Sequence, residues 1–297
     1  MWNKYTAAFI GALMLAGCQK MEEETIIEES PACYTLIVEA SKDTDTRALS
    51  RDGKTLNTYW RTGEQVAVYL GGTKLGMLEA TVNAQDDKKA TLSGTLDSVA
   101  GLAENSVLTL LYPRANWDYT GQNGNAPSTY ATISTMYDFA TASVTVASVD
   151  DVNMTVTTTG NASFANQQSI YRFGFKIGGE GDQIAFRGFT VSSVNDALVR
   201  TRTWGGDGWT DNPGSISVTP SYGTFTLSYV SLRNTRVGSG NGDTYSFSVI
   251  DSDYALYLGS KTIPSEVMDV QGKYISAQSI SVTKSDMAKS GTTTEVW

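Results

Sequence analysis

From Tyr34 onward, apolar residues recur at every second position. Tyr34, Leu36 and Val38 share one parity and Thr35 and Glu39 the other, with Ile37 out of step. Val66, Val68 and Leu70 repeat the pattern. Tyr171, Phe173, Phe175 and Ile177 alternate with Arg172, Gly174 and Lys176, and further sets follow at Phe225–Tyr229, Tyr245–Val249 and Tyr254–Leu258. A period of two in runs rich in β-branched and aromatic residues predicts strands with one buried face. Val107–Tyr112 (VLTLLY) is nearly all apolar, which predicts a central strand covered on both faces. Asp52-Gly53, Asn123-Gly124, Gly205-Gly206, Asp207-Gly208 and Asn241-Gly242 punctuate the runs, and these residue types accept positive φ. No helical stripe exceeds about two turns. Pro264–Met268 predicts a single turn, with proline at its first position. Many short strands with frequent turns make the fold class all-β, of sandwich or barrel type. No fixed-period repeat supports a propeller or solenoid.

The polar, weakly patterned stretch Thr157–Gln168 (TTTGNASFANQQ) divides the strands into two groups. The expected organisation is two tandem β-sandwich domains, 34–165 and 166–297. Ahead of them, Met1–Tyr5 carries Lys4, Ala7–Ala16 is uncharged and apolar, and Leu15-Ala16-Gly17 precedes Cys18. A basic start, a short apolar run and small residues at its end predict a secretory signal over 1–17. The run is too short for a membrane-spanning helix, which needs roughly 20 apolar residues. Leu-Ala-Gly-Cys resembles the lipobox of bacterial lipoproteins. That resemblance implies cleavage before Cys18, a diacylglycerol thioether on its sulfur, and attachment to the outer membrane through acyl chains. Residues 18–33 form an acidic tether holding Glu22, Glu23, Glu24, Glu28 and Glu29, with little to bury. An acidic run after a lipidated cysteine also resembles the surface-export signal of some Gram-negative lipoproteins; a solvated linker would read the same.

Charge and composition narrow the chemistry. The formal net charge is −9, and −10 once Lys4 leaves with the signal. An acidic chain without basic clusters argues against nucleic acid as a partner. There is no histidine, so a Ser-His-Asp or Cys-His pair cannot form, and the commonest metal ligand is missing. Cys33 is left alone once Cys18 is lipidated, which excludes a disulfide framework. The carboxylate pairs Asp86-Asp87, Asp150-Asp151 and Asp251-Ser252-Asp253 are sequence neighbours at turns rather than groups facing across a cleft. Asp43-Thr44-Asp45 lacks the Gly and Glu spacing of a calcium loop. Gly238–Asp243 (GSGNGD) lacks the Lys-Ser/Thr ending of a phosphate loop. No enzyme activity, cofactor or metal is expected. Trp117 and Tyr119 lie in RANWDYTGQNGN, and Trp204 and Trp209 bracket a glycine-rich turn. Such rings either stack on sugars, making these four residues ligand-binding candidates, or cap the ends of a sandwich core.

A family resemblance rests on Leu56–Pro113. Trp60 is followed by Gly63-Glu64 and the strand Gln65–Val68. Ala90-Thr91-Leu92-Ser93-Gly94 comes next, and then Leu110-Leu111-Tyr112-Pro113. With the C-terminal runs Ile170–Ile177, Ile184–Val191, Tyr254–Ile263 and Ile275–Thr283, this order resembles the fimbrillin-like family of surface lipoproteins. The family's aspartate after the glycine is Glu64 here, and Ser285–Trp297 extends past the last strand. The resemblance implies two transthyretin-like β-sandwich domains of the type V pilus class. It also implies trimming after an arginine, loss of the first strand, and filling of the vacated groove by a strand of another pilus subunit. In this chain the first strand is Tyr34–Ala40. Arg47 is the preferred trimming site and Arg51 the second; both are otherwise plain loop arginines. The donor segment is Tyr274–Thr283 or Thr292–Trp297, unless these close the chain's own sheet or fray. The other function in view is a monomeric outer-membrane lipoprotein that binds host or bacterial surface glycans through its loop aromatics.

Overall fold

The computed structural model describes residues 33–285 apart from 43–45, 53–54, 58, 125–132, 134–135, 179–180, 207, 221–222 and 236–241; for 46–57 it describes the backbone. Cys18, the signal and most of the tether, Asp43-Thr44-Asp45, Gly238–Asn241 and Thr292–Trp297 lie outside the described residues. The strands in chain order are β1 (Tyr34–Lys42), β2 (Thr46–Asp52), β3 (Thr55–Asn57), β4 (Gln65–Leu70), β5 (Thr73–Asn83), β6 (Asp86–Leu96), β7 (Val107–Tyr112), β8 (Asn116–Asp118), β9 (Ala140–Asp150) and β10 (Thr155–Thr159). They continue with β11 (Ala162–Asn166), β12 (Ser169–Ile177), β13 (Phe186–Ser193), β14 (Leu198–Gly205), β15 (Gly208–Pro213), β16 (Ile216–Val218), β17 (Ser228–Asn234), β18 (Asp243–Asp251), β19 (Leu256–Ile263) and β20 (Tyr274–Lys284). The turn expected at Pro264–Met268 is a 3-10 turn over Ser265–Val267.

The fold is all-β. The first sheet runs β10-β1-β11-β9-β7-β4-β5-β6, and β6 pairs back onto β1, so its edges join into a closed barrel. Leu36, Val38, Val66, Val68, Leu78, Leu92, Leu108, Leu110 and Phe164 fill its interior. The alternation expected for β1 holds, with Ile37 on the outer face. The ATLSG stretch (Ala90–Gly94) has a structural reason: Ala90, Leu92 and Gly94 stand opposite Ala40, Val38 and Leu36 of β1. Gly94 also faces Leu78 on β5, and a Cβ there would lie 2.2 Å from the Met77 carbonyl oxygen. β7 is central, between β4 and β9. It is covered on both faces only over Leu110–Tyr112, and Val107 at its start is 54% exposed.

The second sheet runs β15-β14-β17-β12-β20-β19-β18-β13-β16, with β8 on β14. Its core is aromatic, with Phe173, Phe175, Phe186, Phe189 and Phe247 in mutual edge contacts. Trp117, Tyr119 and Phe139 belong to this second core. The chain therefore crosses from the first core to the second and back before position 165.

Candidate functional site

β1 is the keystone of the first barrel. It pairs antiparallel with β6 from Tyr34 to Ser41. Its other edge pairs in parallel with β10 at Thr35 and Leu36 and with β11 from Ala40 to Lys42. The row facing inward is Tyr34, Leu36, Val38, Ala40 and Lys42. Without β1 the barrel opens between β6 and β10–β11 along its full height. The exposed floor would include Val66, Val68, Leu92 and Phe164.

The two ends of β1 are pinned by polar contacts. At the start, the Tyr34 hydroxyl donates to Asp151 Oδ1 at 2.7 Å. That bond is the main reason its pKa lies above the ordinary phenol value, with desolvation adding to it. At the other end Lys42 is 2% exposed. Its Nζ donates to Glu64 Oε2 and to the Tyr59 carbonyl, both at 2.9 Å. It also sits 4.1 Å from the centroid of the Trp60 ring and 4.7 Å from that of Tyr112. The Tyr112 hydroxyl donates to Glu64 Oε1 at 2.7 Å, and the Arg61 N–H donates to Glu64 Oε2 at 3.2 Å. Trp60 meets Tyr112 and Phe164 edge-on, with centroids at 5.8 and 5.2 Å. Gly63, at φ +89°, makes the turn that presents Glu64. That turn is tied to β5 by reciprocal backbone bonds with Ala80.

Trp60, Gly63-Glu64 and Tyr112, scattered in sequence, thus converge on one buried cation. In the sequence Trp60, Glu64 and Tyr112 stand out only as parts of the family motif, and Lys42 does not stand out at all. The available signal was its parity: it continues the row 34, 36, 38, 40. Burying a lysine needs a paired carboxylate and satisfied donors, and the aromatic faces add cation–π attraction.

The trimming candidates Arg47 and Arg51 both lie on β2, just after β1. The backbone of β2 pairs with β3 in a separate two-stranded ribbon whose register shifts three times. A cut there leaves β1, with Lys42, on the N-terminal fragment. Of the donor candidates, Tyr274–Thr283 is seated within the second sheet, parallel to β12 and touching β19 at its end. Ile280 and Val282 of that strand are buried.

The loop aromatics come together as packing. β8 pairs with Thr201–Thr203 of β14, which turns Trp117 inward. Trp117 stacks on Phe139 with centroids at 5.1 Å and touches Trp209 at 3.9 Å. Trp117 is 1% exposed and Tyr119 0%, so neither offers a ring face to a sugar. Burial pushes the Tyr119 phenol far above its usual pKa. Trp204 is half-buried, donates its Nε1–H to the Gly71 carbonyl at 2.9 Å and meets Trp209 edge-on. The half-buried Trp209 lies under the Arg202 guanidinium at 4.6 Å. Arg202 pairs with Asp211 at 2.7 Å. Burial, and then the neighbouring Arg233, lower its pKa to about 10.

The paired carboxylates act as turn caps. Asp150 accepts the N–H groups of Val152 and Asn153, and Asp251 those of Asp253 and Ala255. Among the described residues no three His, Cys, Asp or Glu side chains are grouped to hold a metal, and no helix is long and apolar enough to cross a membrane. Cys33 is exposed.

No protein-family model matches the chain, and no curated protein matches it in sequence. Solved structures do resemble it. A "putative cell adhesion protein" from Bacteroides uniformis is 12% identical with a TM-score of 0.41, covering 84% of this chain and 96% of that one. A "putative adhesin" from Bacteroides ovatus is 10% identical with a TM-score of 0.43, covering 84% and 88%. The shaft pilin SpaA from Lactobacillus rhamnosus GG is 10% identical with a TM-score of 0.32, covering 85% and 98%.

Proposed function

We propose that this chain is a structural or adhesive subunit of a bacterial surface fibre, assembled by exchange of its first strand. The observation that carries this reading is β1 itself. It closes the first barrel, supplies a full row of the core, and is followed directly by an arginine-bearing ribbon paired into neither large sheet. A strand that completes a core in cis can be replaced by one supplied in trans, because main-chain ladders and side-chain pockets are indifferent to which chain fills them. In this reading the protein is exported as a lipoprotein held by Cys18 and presented at the cell surface. A protease hydrolyses the bond after Arg47, or after Arg51, and β1 leaves. A neighbouring subunit then fills the groove, and the two cores act as two domains. Use of Tyr274–Thr283 as donor would require that strand to leave its own sheet.

The test is outer-membrane material run on a denaturing gel, unboiled beside boiled, and probed for this chain. A ladder that collapses on boiling supports strand-exchanged polymers. A single monomer band in both lanes argues for a stand-alone lipoprotein. With Trp117 and Tyr119 in the core, a glycan-binding version of that alternative rests on Trp204 and Trp209.

A further inference from the structure

The walls of the Lys42 cage belong to parts of the chain that stay behind when β1 leaves. Trp60 and Glu64 lie between β3 and β4, and Tyr112 ends β7. Arg47 and Arg51 both follow Lys42, so either cut removes the cation with the strand. What remains is the Glu64 carboxylate, its side chain 18% exposed, beside the Trp60 and Tyr112 rings that Lys42 had covered. One step inward, Ala40 stands between Ala90 on β6 and Ala162 on β11, all three buried. A larger side chain at that level would overpack the barrel.

Resting on the strand-exchange reading, we propose that the vacated groove selects its partner by charge: the neighbouring subunit's strand that replaces β1 carries a lysine or arginine at the position of Lys42, two residues after a small residue. An apolar residue there would shut Glu64 into the groove without its cation, and an acidic one would add repulsion. Lysine and arginine both satisfy the carboxylate and both bind aromatic faces. The inward positions before it take aliphatic side chains, as Leu36 and Val38 do, with a small residue at the level of Ala40. Thr292–Trp297 of a second copy contains no lysine or arginine and does not fit this requirement.

The test uses the full chain with a specific protease site placed between Arg47 and Ala48, cut in the folded state. Fluorescent peptides of the sequence Tyr34–Lys42 are then offered in excess, and incorporation is followed by anisotropy. The peptides end in the native lysine or carry Lys42→Arg, Lys42→Met or Lys42→Glu. The expected order is lysine and arginine together, methionine weaker by about tenfold or more, and glutamate weakest. In a chain carrying Glu64→Gln, the gap between the lysine and methionine peptides should shrink. Equal binding of the lysine, methionine and glutamate peptides overturns the charge selection while leaving strand exchange standing. Failure of every peptide, the native one included, overturns the replaceable groove and the selection with it.

Discussion

Replacing Lys42 with methionine keeps the volume of the side chain and removes its charge. In the intact protein this strands Glu64 at the rim of the cage. Removing one partner of a buried pair costs about 3–5 kcal/mol. Here the figure is smaller, because Glu64 is 18% exposed and still accepts from Tyr112 and from the Arg61 N–H. Loss of the cation–π contacts to two rings adds about 0.5–1 kcal/mol each, partly offset by the favourable burial of a thioether. The expected destabilisation is about 2–3 kcal/mol. In urea unfolding followed by tryptophan fluorescence, this lowers the midpoint by about 1 M at a slope of about 2 kcal/mol/M. Glu64→Gln should cost a similar amount. The double substitution should cost less than the two singles together, with a coupling of about 1–2 kcal/mol. A Lys42→Met protein as stable as the parent, or additive single effects, would refute the idea that the pair acts as a unit.

Other perturbations have equally definite outcomes. Leu36→Ala removes a fully buried side chain from β1 and should cost about 2–5 kcal/mol in the same assay, with faster release of β1 after trimming; an unchanged release rate would count against β1 as the element that leaves. Gly94→Ala forces a Cβ against the Met77 carbonyl oxygen and should destabilise by about 2–3 kcal/mol; a neutral result would mean that β5 and β6 can spread there. Burial pushes the Tyr245 pKa up to about 12. Its ordinary value is 10.0, so its contribution is fully present below about pH 10 and is lost as pH rises through about 12. Absorbance at 295 nm should show this phenolate appearing together with unfolding, and a folded protein with a freely titrating Tyr245 would contradict the burial. Replacing both Arg47 and Arg51 with alanine should leave the protein untrimmed on cells and abolish any boiling-sensitive ladder.

The strands were readable because their period is local: β1 and β18 each show alternation within the segment itself, whereas in β12 the row Tyr171, Phe173 and Phe175 is buried, Ile170 and Gly174 of the other face are buried too, and Ile177 is exposed. Closure of the first barrel was not readable, since Tyr34 meets Leu96 through a pairing that no window of periodicity contains. Lys42 was overlooked because a lysine at the end of an alternating run reads as the start of a polar loop. Only the tertiary arrangement of Trp60, Glu64 and Tyr112 makes an interior position tolerable for it. The loop aromatics left two readings open, and pairing of Asn116–Asp118 with β14 decides where Trp117 points. VLTLLY is central as its composition predicts, yet Val107 at its start is exposed. Arg47 and Arg51, trimming sites or else plain loop arginines by sequence, lie on segment 46–52, which forms half of a two-stranded ribbon.

The most direct test of the account is to lock β1 in place and ask whether assembly stops. Ile37 and Ser93 stand directly opposite each other on β1 and β6, with both side chains on the outer face, so cysteines at these positions suit a cross-strand disulfide. With Cys33 changed to serine, the oxidised protein should be trimmed yet remain a monomer. Adding a reductant should release β1 and produce the boiling-sensitive ladder. Polymers that form equally well with the disulfide intact would show that β1 is not the strand exchanged.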